Sequence, residues 1–171
     1  MAKLTDSELL LISKSTCDKL RHFTDGTQLS RRSRRSIKQL QAHAAKDRLT
    51  LAKLHLKDAT AVLTCGIPMN RAVVSRAYYA LYHAARAASY ISYGGDDHEQ
   101  HTTLPLKFPS DFPESDMWKN RLKDARFERN RADYDPYPVG DADFAATAAR
   151  LVGEAKQFIK LTQSYLKLKS T

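Results

Sequence analysis

Cysteine is nearly absent. The 171 residues hold two, Cys17 and Cys65, far apart, with neither a CxxC pair nor a cluster of histidines beside them. This excludes a disulfide-stapled miniprotein and leaves no readable zinc motif, so both are expected as buried or free thiols in a reducing compartment. Glycine and proline are scarce, six each, too few for a collagen-like or low-complexity chain. Long apolar runs are missing as well. Leu9 to Ile12, beside Asp6 and Glu8, is the only early one. It is too short for a signal peptide, and nothing approaches the roughly 18 apolar residues that span a bilayer. The expectation is a cytoplasmic protein with no membrane partner.

What remains is the composition of one ordinary globular domain, 42% hydrophobic and 27% charged. Acidic residues are outnumbered 19 to 28, a net +9 that suggests an anionic partner. The excess is uneven: residues 1–57 carry 13 basic and 5 acidic side chains, residues 58–115 carry 4 and 6, and residues 116–171 carry 11 and 8.

Helical periodicity dominates and alternating strand-like runs are hard to find, so the predicted class is all-α. A first helix is expected from the cap-like Thr5 to Phe23, with Leu9, Ile12, Thr16, Leu20 and Phe23 on one stripe, broken by Thr24-Asp25-Gly26-Thr27. A second runs from about Ser33 to Thr64, its apolar stripe Ile37, Leu40, Ala44, Leu51, Leu54, Ala61 and Val62, ended by Gly66 and Pro68. A third, about Met69 to Ile91, is rich in alanine and tyrosine. A long connection over 93–115 holds Pro105, Pro109 and Pro113, a length more often functional or flexible than not. A fourth helix spans about Asp116 to Tyr134, and a fifth, about Asp141 to Lys167, sets Phe144, Ala148, Leu151, Ala155, Phe158, Thr162 and Tyr165 along a bundle seam. The expected organisation is a basic N-terminal helical extension, 1–36, followed by an up-and-down helical bundle, 37–171.

Within the extension, Ser30-Arg31-Arg32-Ser33-Arg34-Arg35-Ser36 packs four arginines where a helix dipole disfavours them, either as a solvated linker or as a contact for RNA or a partner.

Two patterns carry possible chemistry. On the fourth helix the apolar stripe Trp118, Leu122, Ala125, Ala132 skips one step, and Arg129 fills it. A guanidinium pointing inward must be paired or must await an anion. Asp133 lies one turn on, and Arg129, Asn130, Asp133 and Tyr134 form one polar patch with Arg126 a turn before Asn130. The alternatives are an Arg129–Asp133 salt bridge with Tyr134 as packing, or an anion site. On the third helix, Arg76, Tyr79, His83, Arg86 and Tyr90 form a stripe beside the core face of Val74, Ala77, Tyr78, Leu81, Ala85 and Ala88. Flanking arginines disfavour protonation of His83, which suits a proton acceptor; the alternative is a histidine hydrogen-bonded at a packed interface. His98 and His101, with Asp96, Asp97 and Glu99, lack a clear third and fourth metal ligand and read as a polar loop, so no metal site is expected. No phosphate-binding glycine loop, nucleophile elbow or HExxH is present.

The run Arg76-Ala77-Tyr78-Tyr79-Ala80-Leu81-Tyr82-His83-Ala84-Ala85-Arg86-Ala87, the loop with His98 and His101, and then Arg129-Asn130-Arg131-Ala132-Asp133-Tyr134-Asp135 resemble the HEPN (higher eukaryotes and prokaryotes nucleotide-binding) family of small helical domains. The resemblance covers about Leu51 to Lys167. It implies an up-and-down bundle that homodimerises across the arginine-bearing face, with a metal-independent endoribonuclease activity and no cofactor, often as the toxin of a toxin-antitoxin or defence system. The family's motif is an arginine, a polar residue, and a histidine four to six residues on. Arg129 and Asn130 match the first two, and Tyr134 stands where the histidine is expected. The implied catalytic set is Arg129, Asn130, and Tyr134 or His83, with Arg126, Arg131, Arg76 and Arg86 on RNA. The rival implication is a noncatalytic nucleotide- or partner-binding subunit regulated by a nucleotidyltransferase antitoxin that modifies Tyr134 or Tyr137 with AMP.

Overall fold

A computed structural model describes residues 5–170, so residues 1–4 of the expected extension and residue 171 of the expected bundle lie outside the described residues. Among the described residues every regular element is an α-helix or a 3-10 turn, and no strand is present. The helices are α1 (Asp6–Ser13), α2 (Cys17–Ser33), α3 (Ile37–Thr64), α4 (Asn70–Ser92), the single turn α5 (Thr103–Leu106), α6 (Ser115–Tyr134) and α7 (Ala145–Ser170), with a 3-10 turn at Asp141–Phe144 before α7. The chain divides into two compact units, with the boundary between Leu40 and Gln41.

In the first unit the expected single helix from Thr5 to Phe23 is two helices. Thr5 opens α1 through a reciprocal capping box with Glu8. Ser13 and Ser15 then bond back to the carbonyls of Leu10 and Leu11, and the Thr16 hydroxyl caps α2 at the Lys19 amide. The stretch Thr24 to Thr27 does not break the chain as expected. Thr24 and Thr27 donate to the Leu20 and Phe23 carbonyls at 3.0 and 2.8 Å, so their hydroxyls are satisfied inside α2. Gly26 is tolerated at the usual mid-helix cost of about 1 kcal/mol against alanine. The real stop is Arg34, in the left-handed region at φ 54°. No residue of α1 or α2 is buried, and on the expected stripe Leu9, Ile12 and Phe23 are all exposed.

The second unit is built around α4. Ala77, Ala80, Ala84, Ala85, Ala87 and Ala88 are all fully buried, which lets neighbouring helices come close on several sides at once. It packs on α7, α6 and α5. The expected core face of α4 and the expected seam of α7, from Phe144 to Tyr165, are buried as their spacing predicts. The face of α3 is a correction: Leu51 and Leu54 are exposed, and Ala45, Leu49, Ala52 and Ala59 are buried instead. His55 lies between Ala52 and Ala59 on α3, and its ring stacks on rings of α4.

The long connection is packed rather than loose. Phe108 and Phe112 lie edge to face at 4.9 Å and both reach Phe158 of α7, which also meets Trp118 of α6 at 4.6 Å. The ends of α4 and α6 are tied by distant residues. Met69 offers no side-chain cap to α4, and Asp141 replaces it, accepting from the amides of Asn70 at 2.7 Å and Arg71 at 3.0 Å. Burial opposes the Asp141 charge, but those amides outweigh it and hold the carboxyl below its ordinary range. The Arg71 guanidinium lies over the Phe144 ring and donates to the carbonyls of Arg131, Ala132, Asp135 and Pro138. It thereby gives a donor to the Ala132 carbonyl in the last turn of α6 and a second one to Arg131, whose carbonyl also accepts from the Asp135 amide.

Candidate active site

The end of α6 so anchored is the segment with the interrupted stripe. Arg129 fills the gap as its spacing predicts, and its side chain is only 13% exposed. All three of its nitrogens face a polar group: one terminal nitrogen donates to Tyr79 Oη at 2.5 Å, the other to Asn130 Oδ1 at 3.1 Å, and Nε stands 2.9 Å from Asp133. The last contact is an ion pair without hydrogen-bond alignment, since Nε–H has no acceptor in line. Ser75 of α4 reaches the same Asp133 carboxylate at 3.4 Å. The guanidinium also lies 5.3 to 5.6 Å from the ring centres of Tyr78, Tyr79 and Tyr134. The salt bridge expected from the spacing is therefore present, and it is one of several contacts that orient the cation; Tyr134 is 69% exposed rather than packed away.

Behind Tyr79 lies a cluster of rings. His55 of α3 stacks on Tyr79 and on His83, whose ring lies 5.2 Å away with its plane 2° from parallel. His101, from the connection, stacks on Tyr82 at 4.2 Å and bonds through Nδ1 to Tyr78 Oη at 2.5 Å. His101 also meets Tyr79 edge to face. Three imidazoles and three phenols thus share one face of α4. Burial holds all three imidazoles below the ordinary histidine value, with neighbouring positive charge adding to it: Arg76 on His55, and Arg129, Arg126 and Arg86 on His101. His83 is pushed down to about 4, chiefly by burial. Burial also raises Tyr78 and Tyr82, so these phenols keep their protons. At neutral pH the three imidazoles are uncharged, and Arg129 is the cation beside them.

The other expected residues are dispersed. Arg86 is bound to Asp97 at 2.6 Å, together with Arg48 at 2.8 Å, and Asp97 is buried beneath both. Arg131 pairs with Glu128 at 3.0 Å and lies over Phe127 and Phe144, away from the phenols around Arg129. Arg126 is partly buried and acts on Tyr78 and His101 through its charge, whereas Arg76 is exposed. Tyr137 is 75% exposed. His98 does not join His101: it pairs with Asp96 at 3.2 Å and packs on Tyr93. Cys17 and Cys65 are free and exposed. Among the described residues no helix is long and apolar enough to cross a membrane, and no three His, Cys, Asp or Glu residues converge as a metal site.

Sequence reasoning passes over His55 and gives Tyr78 to the core alone. The sequence signal for His55 is its heptad offset from Arg48, which touches Tyr90 and Asp97 of the same layer. His101 is visible in the sequence, but only as part of a polar loop. Comparison of the chain with family models, with curated proteins and with solved structures gave no match.

Proposed function

We propose that the protein is a HEPN-type, metal-independent endoribonuclease, acting as a homodimer and serving as the toxin of a toxin-antitoxin or defence system. One observation carries this reading: a nearly buried arginine held in place from three sides, beside imidazoles kept neutral. Metal-free RNA cleavage needs a base for the 2′-hydroxyl, a fixed cation for the charge that develops on the phosphorane, and an acid for the leaving oxygen. Arg129 is the cation, fixed before substrate arrives. Asn130 orients it, and Tyr134, exposed over the guanidinium, offers a phenol proton to the leaving 5′-oxygen. A neutral imidazole takes the 2′-hydroxyl proton. Arg126 and Arg76 extend the positive field for the backbone.

Purified protein should cut RNA in the presence of a chelator, and Arg129→Ala should abolish both cutting and growth toxicity while the helical signal and melting temperature hold. Full activity in Arg129→Ala, or loss explained by melting, would sink the reading.

The exposure of Tyr134 and Tyr137 favours a second reading, a noncatalytic subunit whose phenol is modified with AMP by a partner nucleotidyltransferase. Its sign is an intact-mass increase of one AMP after co-expression with such an enzyme, lost in Tyr134→Phe or Tyr137→Phe, with no RNA cleavage by the unmodified protein.

A further inference from the structure

Three imidazoles compete for the base, and their surroundings separate them. His83 and His55 lie against each other in a parallel stack, and the phenol beside Arg129 that both rings touch is Tyr79. His101 is differently placed. Its Nδ1 is bound to Tyr78 Oη, its face is covered by Tyr82, and its edge meets Tyr79. Tyr78 and Tyr79 are the two buried-side phenols over which the Arg129 guanidinium stands. His101 and Arg129 therefore share both neighbours.

We propose that His101 is the general base of this site and that Tyr78 is its positioning residue, so that a histidine from the connection supplies what the α6 motif replaces with Tyr134. The inference rests on the ribonuclease reading above. Tyr78 keeps its proton, and a phenol can accept from Nδ1–H as well as donate. With Nδ1–H turned to Tyr78 Oη, the His101 Nε2 lone pair is free. In the first step the 2′-O–H bond breaks and its proton goes to Nε2. The 2′-oxygen forms a bond to phosphorus, the P–O5′ bond breaks, and the leaving oxygen takes the Tyr134 phenol proton. The products are a 2′,3′-cyclic phosphate and a 5′-hydroxyl. Water then carries the imidazolium proton back to the Tyr134 phenolate, which restores both groups with no metal and no redox change.

The imidazole touches Tyr78, Tyr79 and Tyr82 of α4, and it lies in the field of His83 and Arg86 of α4 and of Arg126 and Arg129 of α6. Burial first, and then the arginines, keep it neutral at pH 7, which is the form a base requires. His83, at about 4, is too weakly basic to share the task equally.

The test is single-turnover cleavage of an RNA oligonucleotide in chelator from pH 4.5 to 9, with wild type, His101→Gln, Tyr78→Phe, His83→Gln and Arg129→Ala, each checked for fold by melting. His101→Gln should lose about 10²- to 10⁴-fold in rate and lose the limb on which wild-type rate falls with acid. Tyr78→Phe should lose less in rate and displace that limb. A second readout is the His101 ring signal in NMR, which should move when an uncleavable 2′-O-methyl RNA is added to wild type. If His101→Gln keeps the wild-type rate and limb while Arg129→Ala is inactive, or if the limb vanishes in His83→Gln instead, this inference fails and the ribonuclease reading stands. If wild type cuts no RNA and the ring signal stays still, both fall together.

Discussion

Two stretches of this chain are rich in arginine, and they are built in opposite ways. Between Ser30 and Ser36 four arginines crowd the end of α2 and the turn after it, in a unit where neither α1 nor α2 buries a side chain. Between Arg126 and Arg131 there are three, and one of them, Arg129, is nearly buried and held by Tyr79, Asn130 and Asp133. The first stretch supplies much of the net charge. The second supplies a cation whose position is set in advance. A diffuse positive field raises the local concentration of an anion, but only a fixed donor can favour a transition state over a ground state.

The difference can be broken most sharply at Arg129. Arg129→Ala should lower RNA cleavage by about 10²–10³-fold or more, the usual cost of one pre-aimed donor, with KM changed less than kcat. Equal losses from mutating the Ser30–Ser36 arginines would erase the distinction. Next in size is the anchor behind the site. Arg71→Ala leaves the carbonyls of Arg131, Ala132, Asp135 and Pro138 without their shared donor and should cost about 2–3 kcal/mol in chemical denaturation. Stability unchanged within error would show that the end of α6 is held by other contacts.

The legible part of the fold is the part where one residue pattern has one meaning. On α4 and α7 the apolar stripes are continuous and heavy, on α6 the stripe has a single gap, and Val74, Leu81, Trp118, Leu122, Leu151 and Phe158 are buried where their spacing puts them. The gap at Arg129 is legible for the same reason, because a charge stands out only against a regular stripe. On α3 two faces compete. The bulkier one, with Leu51 and Leu54, stays exposed, and the one with Ala45, Leu49, Ala52 and Ala59 is buried, a choice that propensity and bulk do not express. The break between α1 and α2 is hidden because serine and threonine can either cap a helix or bond back within it, and Thr16 does the first while Thr24 and Thr27 do the second. The ring cluster is legible only in part, through Tyr79 and His83 on one stripe. Its members come from α3, α4 and the connection, and nothing local in the sequence announces that Tyr78 and His101, 23 positions apart, are bonded.

A smaller effect tests the other half of the contrast. Replacing Arg31, Arg32, Arg34 and Arg35 together by Gln should leave kcat unchanged and flatten the salt dependence of RNA binding, by about 0.7 in log–log slope for each single-strand phosphate that these arginines neutralise. An unchanged slope would assign this tract to a solvated linker. A pH effect on stability at His83 is a further test. Its folded value, about 4, lies below the unfolded value of about 6.5, so the folded state binds fewer protons. Its contribution is present above pH 6.5 and is lost as pH falls towards 4. The decline in melting temperature across that window should be shallower in His83→Gln than in wild type; parallel curves would mean that His83 does not titrate differently on folding.

The central claim is that a fixed arginine and neutral imidazoles cleave RNA through its own 2′-hydroxyl. Mass spectrometry of the product ends, after digestion of a defined RNA in chelator, tests it most directly. The account predicts a 2′,3′-cyclic phosphate on one fragment and a 5′-hydroxyl on the other, both missing with Arg129→Ala. Fragments with a 5′-phosphate and a free 3′-hydroxyl, or the same cyclic product from Arg129→Ala, would contradict it.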